Sequence, residues 1–238
     1  MKPFKTAPPP TAITLRVLAK LLSYPDAAVR SHLGEMREAL RSERALSPAR
    51  LAEIDALIAR LSHAPALEAE AAYVELFDRG RGTALHLFEH VHGDSRERGP
   101  AMVSLIQTYE QAGLFLAPGE LPDHLTVVLE YASTQPPAQA RDLLREFAHI
   151  LQVLFSALLR RESAYASVVA ALLDLAGAAA QAVTLPAEPT LDESWEEPLA
   201  FGGCSNQGQA RPGQPQPIRL VKPPIPTQVD PTPTGARA

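Results

Sequence analysis

Apolar side chains recur every three or four residues through most of the chain between residues 11 and 184. The first run places Ile13, Val17, Leu18 and Leu21 on one face of a helix, which is the spacing of an amphipathic helix. No stretch alternates apolar and polar residues with β-branched side chains over the length of a strand, so the pattern predicts no strand. We therefore expect an all-α fold, a multi-helix bundle in a single domain.

Proline and serine mark where the predicted helices begin and end. Ser47 followed by Pro48 is a start signal, because serine caps a helix and proline is tolerated in its first turn. Pro25 ends the first helix, since proline disfavours a helical residue before it. The predicted helices cover residues 13–22, 25–40, 47–61, 65–77, 100–116, 122–133, 139–163 and 164–183, with a short apolar segment at 84–91.

Proline content separates the end of the chain from the helical region. Eleven of the 23 prolines lie from Pro186 onward. Proline at this density removes backbone donors and blocks helices, while Gln, Ser and Gly bury little apolar surface. We expect a helical domain at 11–184, an acidic extension containing Trp195 at 185–204 and a disordered, Pro-rich C-terminal tail at 205–238. The acidic residues around Trp195, at 192–197, are predicted to fold back over the bundle, to touch a partner or to remain solvated.

Charge and composition exclude several classes of function. The net charge of −5 argues against a nucleic-acid partner, because phosphate binding leaves a basic footprint. The single cysteine, Cys204, excludes an intramolecular disulfide and a multi-cysteine metal site. The longest apolar stretch has 13 residues, Phe147 to Leu159, whereas a membrane span needs about 20. The first residues have no apolar core typical of a secretion signal, so we expect a cytoplasmic protein without membrane insertion.

Two groups of residues suggest metal or acid–base chemistry. His86 and His90 have the spacing of one helix face, with Glu89 nearby, but a zinc protease would place glutamate where Leu87 stands. The alternative is a polar helix end, where the dipole favours histidine. Asp123 precedes a histidine, but adjacent helical residues diverge by about 100°, so we expect Asp123 to serve the start of a helix at Pro122.

The region from 73 to 131 interleaves aromatic and charged side chains more densely than a core requires. A surface that grips a peptide uses aromatic anchors together with polar groups that set orientation. Tyr73, Leu76 and Phe77 stand at i, i+3 and i+4, and so are predicted to form one wall of a groove. Charged residues around them are predicted to pair with the polar flank of the peptide.

Three strings in this region carry a family resemblance. They are YVELFDRGR from Tyr73 to Arg81, LFEHVHGDSRERG from Leu87 to Gly99, and ELPDHL from Glu120 to Leu125. The opening LLSYPDA, the later RRESAY and the piece WEE at Trp195 fit the same pattern. Across residues 13–204 the chain resembles the NarJ-type nitrate reductase molybdenum cofactor assembly chaperones, which belong to the TorD-like group of redox enzyme maturation chaperones.

The resemblance implies a TorD-like helical fold, no catalytic activity and no cofactor. It also implies a partner, the apo catalytic (alpha) subunit of respiratory nitrate reductase, bound by its N-terminal segment and held as an alpha–beta complex. Such a chaperone allows insertion of the molybdenum cofactor, prevents premature membrane docking and is absent from the mature enzyme. Transient contact with molybdenum cofactor biosynthesis proteins is a further expectation.

By motif match the resemblance assigns client-peptide binding to Tyr73, Leu76, Phe77, Asp123 and His124. The aromatic and charged residues interleaved with them complete the predicted site: Arg81, Phe88, Glu89, His90 and Tyr131. Two alternatives from other classes remain: a histidine-based metal-binding protein, and a permanent structural subunit of the reductase.

Overall fold

The computed structural model describes residues 10–93 and 95–185, which hold ten α-helices and no strand. The all-α prediction is therefore confirmed for this part of the chain, while the predicted tail and most of the acidic extension lie outside the described residues. The helices are α1 (Ala12–Leu21), α2 (Ala27–Ser31), α3 (Leu33–Glu43), α4 (Pro48–His63), α5 (Ala66–Tyr73), α6 (Arg98–Gln111), α7 (Leu125–Thr134), α8 (Pro137–Glu146), α9 (Ala148–Arg160) and α10 (Ala166–Ala176).

Three short helical turns between α5 and α6 are wound more tightly or more widely than an α-helix. A π-helical turn, Val74–Asp78, continues directly from α5. Two 3-10 turns follow, Arg81–Thr83 and Leu87–Glu89. This stretch contains most of the residues that the sequence marks as functional.

The core lies between helices from both ends of the described chain. α1 packs along α7, while α10 packs against α8 and α9. α10 is buried almost all round, since its residues from Val168 to Leu173 are inaccessible to solvent. It ends at Ala176 rather than at residue 183 because Gly177 adopts a left-handed backbone (φ +77°), which closes a helix C-terminus.

The start signal predicted at Ser47 and Pro48 is confirmed. Ser47 accepts a hydrogen bond from the backbone N–H of Arg50 (3.2 Å), with Pro48 in the first turn of α4. Asp26 does the same for α2 by accepting from Val29 N–H (2.8 Å). These caps satisfy N–H groups that have no partner within the helix.

Two long predicted helices are each divided in the structure. The helix predicted at 25–40 breaks at His32 (φ −99°, ψ 4°), whose ring Nδ1 lies 2.7 Å from the carbonyl oxygen of Ala28. The helix predicted at 139–163 breaks at Phe147, which has a similar non-helical backbone (φ −88°, ψ 0°). Apolar periodicity continues across both breaks, so the sequence pattern did not reveal them.

Two further predicted helix boundaries were also wrong. α6 stops at Gln111 because Gly113 turns left-handed (φ +77°) and Leu114 N–H bonds back to Tyr109. α7 starts three residues later than predicted, because Asp123 is engaged with another segment. None of the helices between residues 10 and 185, residue 94 aside, is long and apolar enough to cross a membrane.

Candidate functional site

Tyr73 and Phe77 belong to a buried aromatic cluster. Their rings lie 4.8 Å apart, and Phe77 packs edge-on against Tyr165 at 5.0 Å. Tyr73 is 6% exposed and Phe77 4% exposed, and the Tyr73 hydroxyl donates to Leu22 O (2.8 Å). Burial raises the pKa of both tyrosines above the ordinary value. The expectation that these two rings form the open wall of a groove was wrong, because they support the surface from beneath.

Leu76 lines an apolar groove of about 530 Å³, which we call the Leu76 groove. It lies between α4, α5 and the loop that joins α9 to α10. Its apolar lining includes Leu57, Leu61, Ala69, Ala72, Leu76 and Tyr165. Leu76 itself is half-buried, so it closes the core on one side and faces the groove on the other.

Charged side chains line the edges of the Leu76 groove. Three are carboxylates, from Glu68, Glu75 and Glu162, and two are guanidinium groups, from Arg60 and Arg161. The groove therefore combines an apolar floor with an excess of negative charge at its rim. That combination suits a partner with an apolar face and basic flanking residues.

The π-helical turn fixes the position of Leu76. Arg79 N–H bonds to Val74 O (3.1 Å), the wider i→i+5 pattern, and π turns inside helices are frequent at functional sites. The Thr83 hydroxyl donates to the carbonyl oxygen of Leu76. Gly80 is buried at this corner. The corner is packed, and its packing holds Leu76 in place.

Asp123 joins two separate loop segments and does not cap α7. Its side chain is 0% exposed and accepts from Phe88 N–H (3.2 Å), while its backbone oxygen accepts from Leu87 N–H (3.0 Å). Leu125 N–H donates to Leu85 O (2.8 Å), which makes an isolated antiparallel bridge between His86 and His124. The prediction that Asp123 serves a helix start was therefore wrong.

Opposite charges surround the Asp123 carboxylate. His86 Nδ1 lies 3.6 Å from Oδ1 and Arg98 Nη2 lies 3.8 Å from Oδ2, distances of charge attraction rather than of hydrogen bonds. Burial acts to raise the pKa of Asp123, but His86, the Phe88 N–H and Arg98 outweigh it and lower the pKa. Pairing with Asp123 raises the pKa of His86, against the effects of burial and of Arg98.

His124 lies against His86, but its pKa is shifted in the opposite direction. The two rings are 4.9 Å apart at nearly right angles, and His124 Nδ1 contacts the Thr126 hydroxyl (2.6 Å). Burial, together with the positive charge of His86, lowers the pKa of His124 to about 4, although Asp123 and Asp78 oppose this. His124 is therefore neutral at pH 7.

The spacing of His86 and His90 suggested that they share one helix face, but in the structure they do not. His86 is extended (φ −83°, ψ 104°), and His90 turns its Nε2 to Ala84 O (2.8 Å). Within the described ranges, no group of three or more His, Cys, Asp or Glu side chains is placed to hold a metal ion.

The structure brings Phe88, Glu89, Asp123 and His124 together around the bridge between His86 and His124. Phe88 is half-buried and packs on His92, while exposed Glu89 pairs with Arg98 (3.5 Å). The negative charge of Asp78 acts on the pKa of both Tyr73 and His124, which links the two sets of predicted residues. The side chain of Arg81 lies outside the described part.

Tyr131 lies away from the Leu76 groove. Its ring packs on Tyr109 (4.9 Å) and lines a separate pocket. Sequence reasoning missed Arg98 as the partner of Asp123, because a charged run before a helix resembles an ordinary loop. It also missed the groove residues of α4, whose apolar spacing is that of any core helix.

The described residues define a class: an all-helical protein with an apolar groove on its surface. The chain belongs to the nitrate reductase delta subunit family, whose model matches residues 25–171. It is 44% identical over 200 residues to the nitrate reductase molybdenum cofactor assembly chaperone NarJ of Escherichia coli K12, which covers 84% of each chain. The family resemblance stated from the sequence is thereby confirmed.

Two further relatives carry similar names. The probable nitrate reductase molybdenum cofactor assembly chaperone NarW of Escherichia coli K12 is 39% identical over 194 residues, covering 77% of this chain and 80% of its own. The probable NarJ of Bacillus subtilis is 33% identical over 161 residues, covering 68% and 86%. The matched lengths show that the likeness extends well beyond the motif strings.

Proposed function

We propose that this protein is an assembly chaperone of respiratory nitrate reductase that acts during insertion of the molybdenum cofactor. The support is its 44% identity to a relative of that name over 84% of both chains. It acts in the cytoplasm on the apo catalytic (alpha) subunit, as an alpha–beta complex, before membrane docking. The protein itself catalyses no reaction and is absent from the finished enzyme.

The client segment docks in the Leu76 groove, and the single observation that carries this assignment is the groove itself. An N-terminal segment of the catalytic subunit would enter as an amphipathic helix with its apolar face on Leu76 and Tyr165. Tyr73 and Phe77 act from beneath, since their buried rings hold α5 and the π turn in register.

The charges on the rim set the chemistry of the client. Three glutamates against two arginines favour a peptide with basic residues beside its apolar face. Such contacts at an exposed rim contribute more to orientation and association rate than to affinity. Binding is therefore moderate and reversible, as release of the mature enzyme requires.

The segment from Phe88 to His90 is a second part of the proposed binding surface, outside the lining of the Leu76 groove. Asp123 holds it through the bond to Phe88 N–H, and His124 is part of the same bridge. In this assignment Asp123 and His124 are positioning residues, which act on the client through the segment that they hold.

Calorimetric titration with a synthetic N-terminal peptide of the catalytic subunit from the same genome tests this assignment. We expect saturable binding near one to one, removed by Leu76→Asp and weakened by the milder Leu76→Ala. Val103→Asp is the matched control, because Val103 is an exposed apolar residue on α6, away from the groove. Circular dichroism checks that each variant is folded. Unchanged affinity in folded Leu76→Asp, or equal loss in Val103→Asp, would refute the groove.

A further inference from the structure

A second groove borders α5, on the side of the turn that joins α1 to α2. Its volume is about 540 Å³, and its lining includes Tyr24, Leu67, Glu70, Val74 and Arg79. We call it the Tyr24 groove. Tyr24 lies in the turn between α1 and α2, whereas Leu67 and Glu70 belong to α5. None of these five residues lines the Leu76 groove.

Two large side chains of the Tyr24 groove are open to solvent. Leu67 is 77% exposed and Tyr24 is 43% exposed. Leu67 and exposed Ala71 stand at i and i+4, so they lie on one face of α5. Because these side chains border one groove, they form a shared apolar surface, which is typical of an interaction site.

The Tyr24 groove adjoins the Leu76 groove. Ala72 and Glu75 line both. The Tyr24 ring packs edge-on against Tyr73 (5.6 Å). Tyr73 in turn packs against Tyr165 (6.2 Å), which lines the Leu76 groove. One aromatic cluster therefore supports both grooves, and the exposed, small side chain of Ala72 leaves room for a peptide that crosses α5 between them.

The lining of the Tyr24 groove carries an uncompensated negative charge. Arg79, the single cation of the described lining, pairs with Glu75 (3.1 Å). Glu70 accepts a hydrogen bond from the Tyr24 hydroxyl (3.1 Å). Among the described side chains, no Lys, Arg or His forms an ion pair with Glu70. Glu70 is therefore the carboxylate that a cation of a partner would meet.

The Tyr24 hydroxyl reports the sign of the local electrostatic potential. Its pKa is raised above the ordinary value, first by desolvation and then by Glu70. Asp26 and Asp78 act in the same direction. A negative potential beside an exposed aromatic ring suits lysine or arginine, because the charged end pairs with a carboxylate and the aliphatic stem packs on apolar surface.

We propose that the client peptide crosses α5, with its apolar face in the Leu76 groove and a lysine or arginine in the Tyr24 groove. The cation pairs with Glu70, and its stem packs on Leu67 and Tyr24. This inference rests on the proposed function, because it extends the contact of the same client. A helix is about 10–12 Å wide with its side chains, and two turns of a client helix rise about 11 Å. The basic residue therefore lies about seven positions from the apolar residue that contacts Leu76.

Calorimetric titration of the full-length protein with the synthetic N-terminal peptide of the catalytic subunit tests this contact. We expect Glu70→Gln to weaken binding about three- to fivefold, as for an exposed ion pair. Leu67→Ala should weaken it about three- to tenfold through lost apolar burial. Circular dichroism checks that each variant is folded.

Two substitutions on α6 are the matched controls. Glu110→Gln removes an exposed carboxylate and Val103→Ala shortens an exposed apolar side chain, and neither residue lines either groove. We expect both to keep the affinity of the parent. Losses in the controls equal to those in Glu70→Gln and Leu67→Ala would overturn the proposal.

Peptides in which each Lys or Arg is replaced singly by Gln identify the partner of Glu70. One replacement should weaken binding to the parent protein by the same factor as Glu70→Gln does. The same replacement should have no further effect in Glu70→Gln, because the two changes remove one pair. Losses that add fully to that of Glu70→Gln for every replacement would overturn the proposal.

The outcomes distinguish this inference from the proposed function. Unchanged affinity in Glu70→Gln and Leu67→Ala, with binding lost in Leu76→Asp, would overturn the Tyr24 groove alone. No binding by the parent protein would overturn both. Sedimentation tests a second copy of the chain as the occupant, since a dimer that Leu67→Ala weakens would assign the groove to that copy and overturn the proposal.

Discussion

Tyr73 and Tyr165 lie in one buried aromatic cluster, with ring centroids 6.2 Å apart, yet their hydroxyls differ in hydrogen bonding. The Tyr73 hydroxyl donates to Leu22 O (2.8 Å), whereas that of Tyr165 has no hydrogen-bond partner among the residues that the structure describes. A buried acceptor left without its donor costs free energy, while removal of an unpaired hydroxyl costs little.

Replacing each tyrosine with phenylalanine therefore has unequal effects. We expect Tyr73→Phe to lower the free energy of unfolding by about 1–2 kcal/mol and Tyr165→Phe to leave it unchanged or slightly higher. Urea denaturation followed by circular dichroism measures both. Equal losses in the two variants would contradict the assigned hydrogen bond.

We expect that no side chain fits at position 80 without displacing its neighbours. A Cβ there would lie 2.8 Å from the backbone oxygen of Leu76 and 2.8 Å from Arg161 Nη1, as well as against the Thr83 hydroxyl. The backbone oxygen cannot move away without disturbing the π turn. We expect Gly80→Ala to cost about 1–3 kcal/mol of stability and to weaken client binding through Leu76.

Gly34 provides the matched control for Gly80. It lies within α3, where a Cβ would meet nothing within 4 Å. Alanine is the better helix former, so Gly34→Ala should stabilise the protein by about 0.5–1 kcal/mol. Thermal unfolding compares the two variants, and a destabilised Gly34→Ala together with a neutral Gly80→Ala would contradict the packing described.

His86 and His124 should make opposite contributions to stability as the pH changes. The lowered pKa of His124, about 4, means that its contribution is complete above pH 6.5 and is lost as the pH falls toward 4. The raised pKa of His86 means that its contribution is complete below pH 6.5 and is lost as the pH rises through its folded-state pKa.

Urea unfolding at pH 7.5 and pH 5 separates the two histidines. His124→Asn should reduce the loss of stability between the two pH values, because the unfavourable proton uptake at His124 is gone. His86→Asn should increase that loss, because the favourable protonation beside Asp123 is gone. The same pH dependence in both variants and the parent would be evidence against these assignments.

Asp123 should matter for both stability and binding. In Asp123→Asn the amide oxygen still accepts from Phe88 N–H, but the attraction to His86 and Arg98 is lost. We expect a loss of about 1–3 kcal/mol, with faster hydrogen exchange at the Phe88 amide and weaker client binding.

Asp174→Asn is the comparison for Asp123. It removes a carboxylate that pairs with Arg50 at 2.8 Å but is partly exposed. Pairs of this kind contribute about 1 kcal/mol or less. Client affinity should be unchanged, so an equal loss of affinity in both variants would argue against a positioning role of Asp123.

The sequence predicted the helical class and most helix starts, because apolar spacing and the Ser47–Pro48 signal are local properties. The breaks at His32 and Phe147 escaped prediction, since apolar spacing continues across them. The exposure of Tyr73 and Phe77 was also misjudged. An i, i+4 aromatic pair lies on one helix face whether that face meets solvent or the core, and tertiary packing decides which.

The candidate site was predicted only in part, because tertiary packing also decides its contacts. The motif strings selected Leu76, Asp123 and His124, but the contacts of Asp123 with His86 and Arg98 join segments that are 25 to 37 residues apart. Such contacts depend on how the loops between α5 and α7 meet. No local sequence pattern encodes how these loops pack together, so only the structure shows the contacts of Asp123.

The central claim is that the protein serves maturation of nitrate reductase through the Leu76 groove. The most direct measurement is the molybdenum content of nitrate reductase purified from cells that lack the chromosomal copy of this protein and express a variant. We expect full molybdenum with the parent and with Val103→Asp, little with Leu76→Asp, and no chaperone in the finished membrane complex. Full molybdenum with a folded Leu76→Asp, or co-purification of the protein with the mature enzyme in stoichiometric amount, would contradict it.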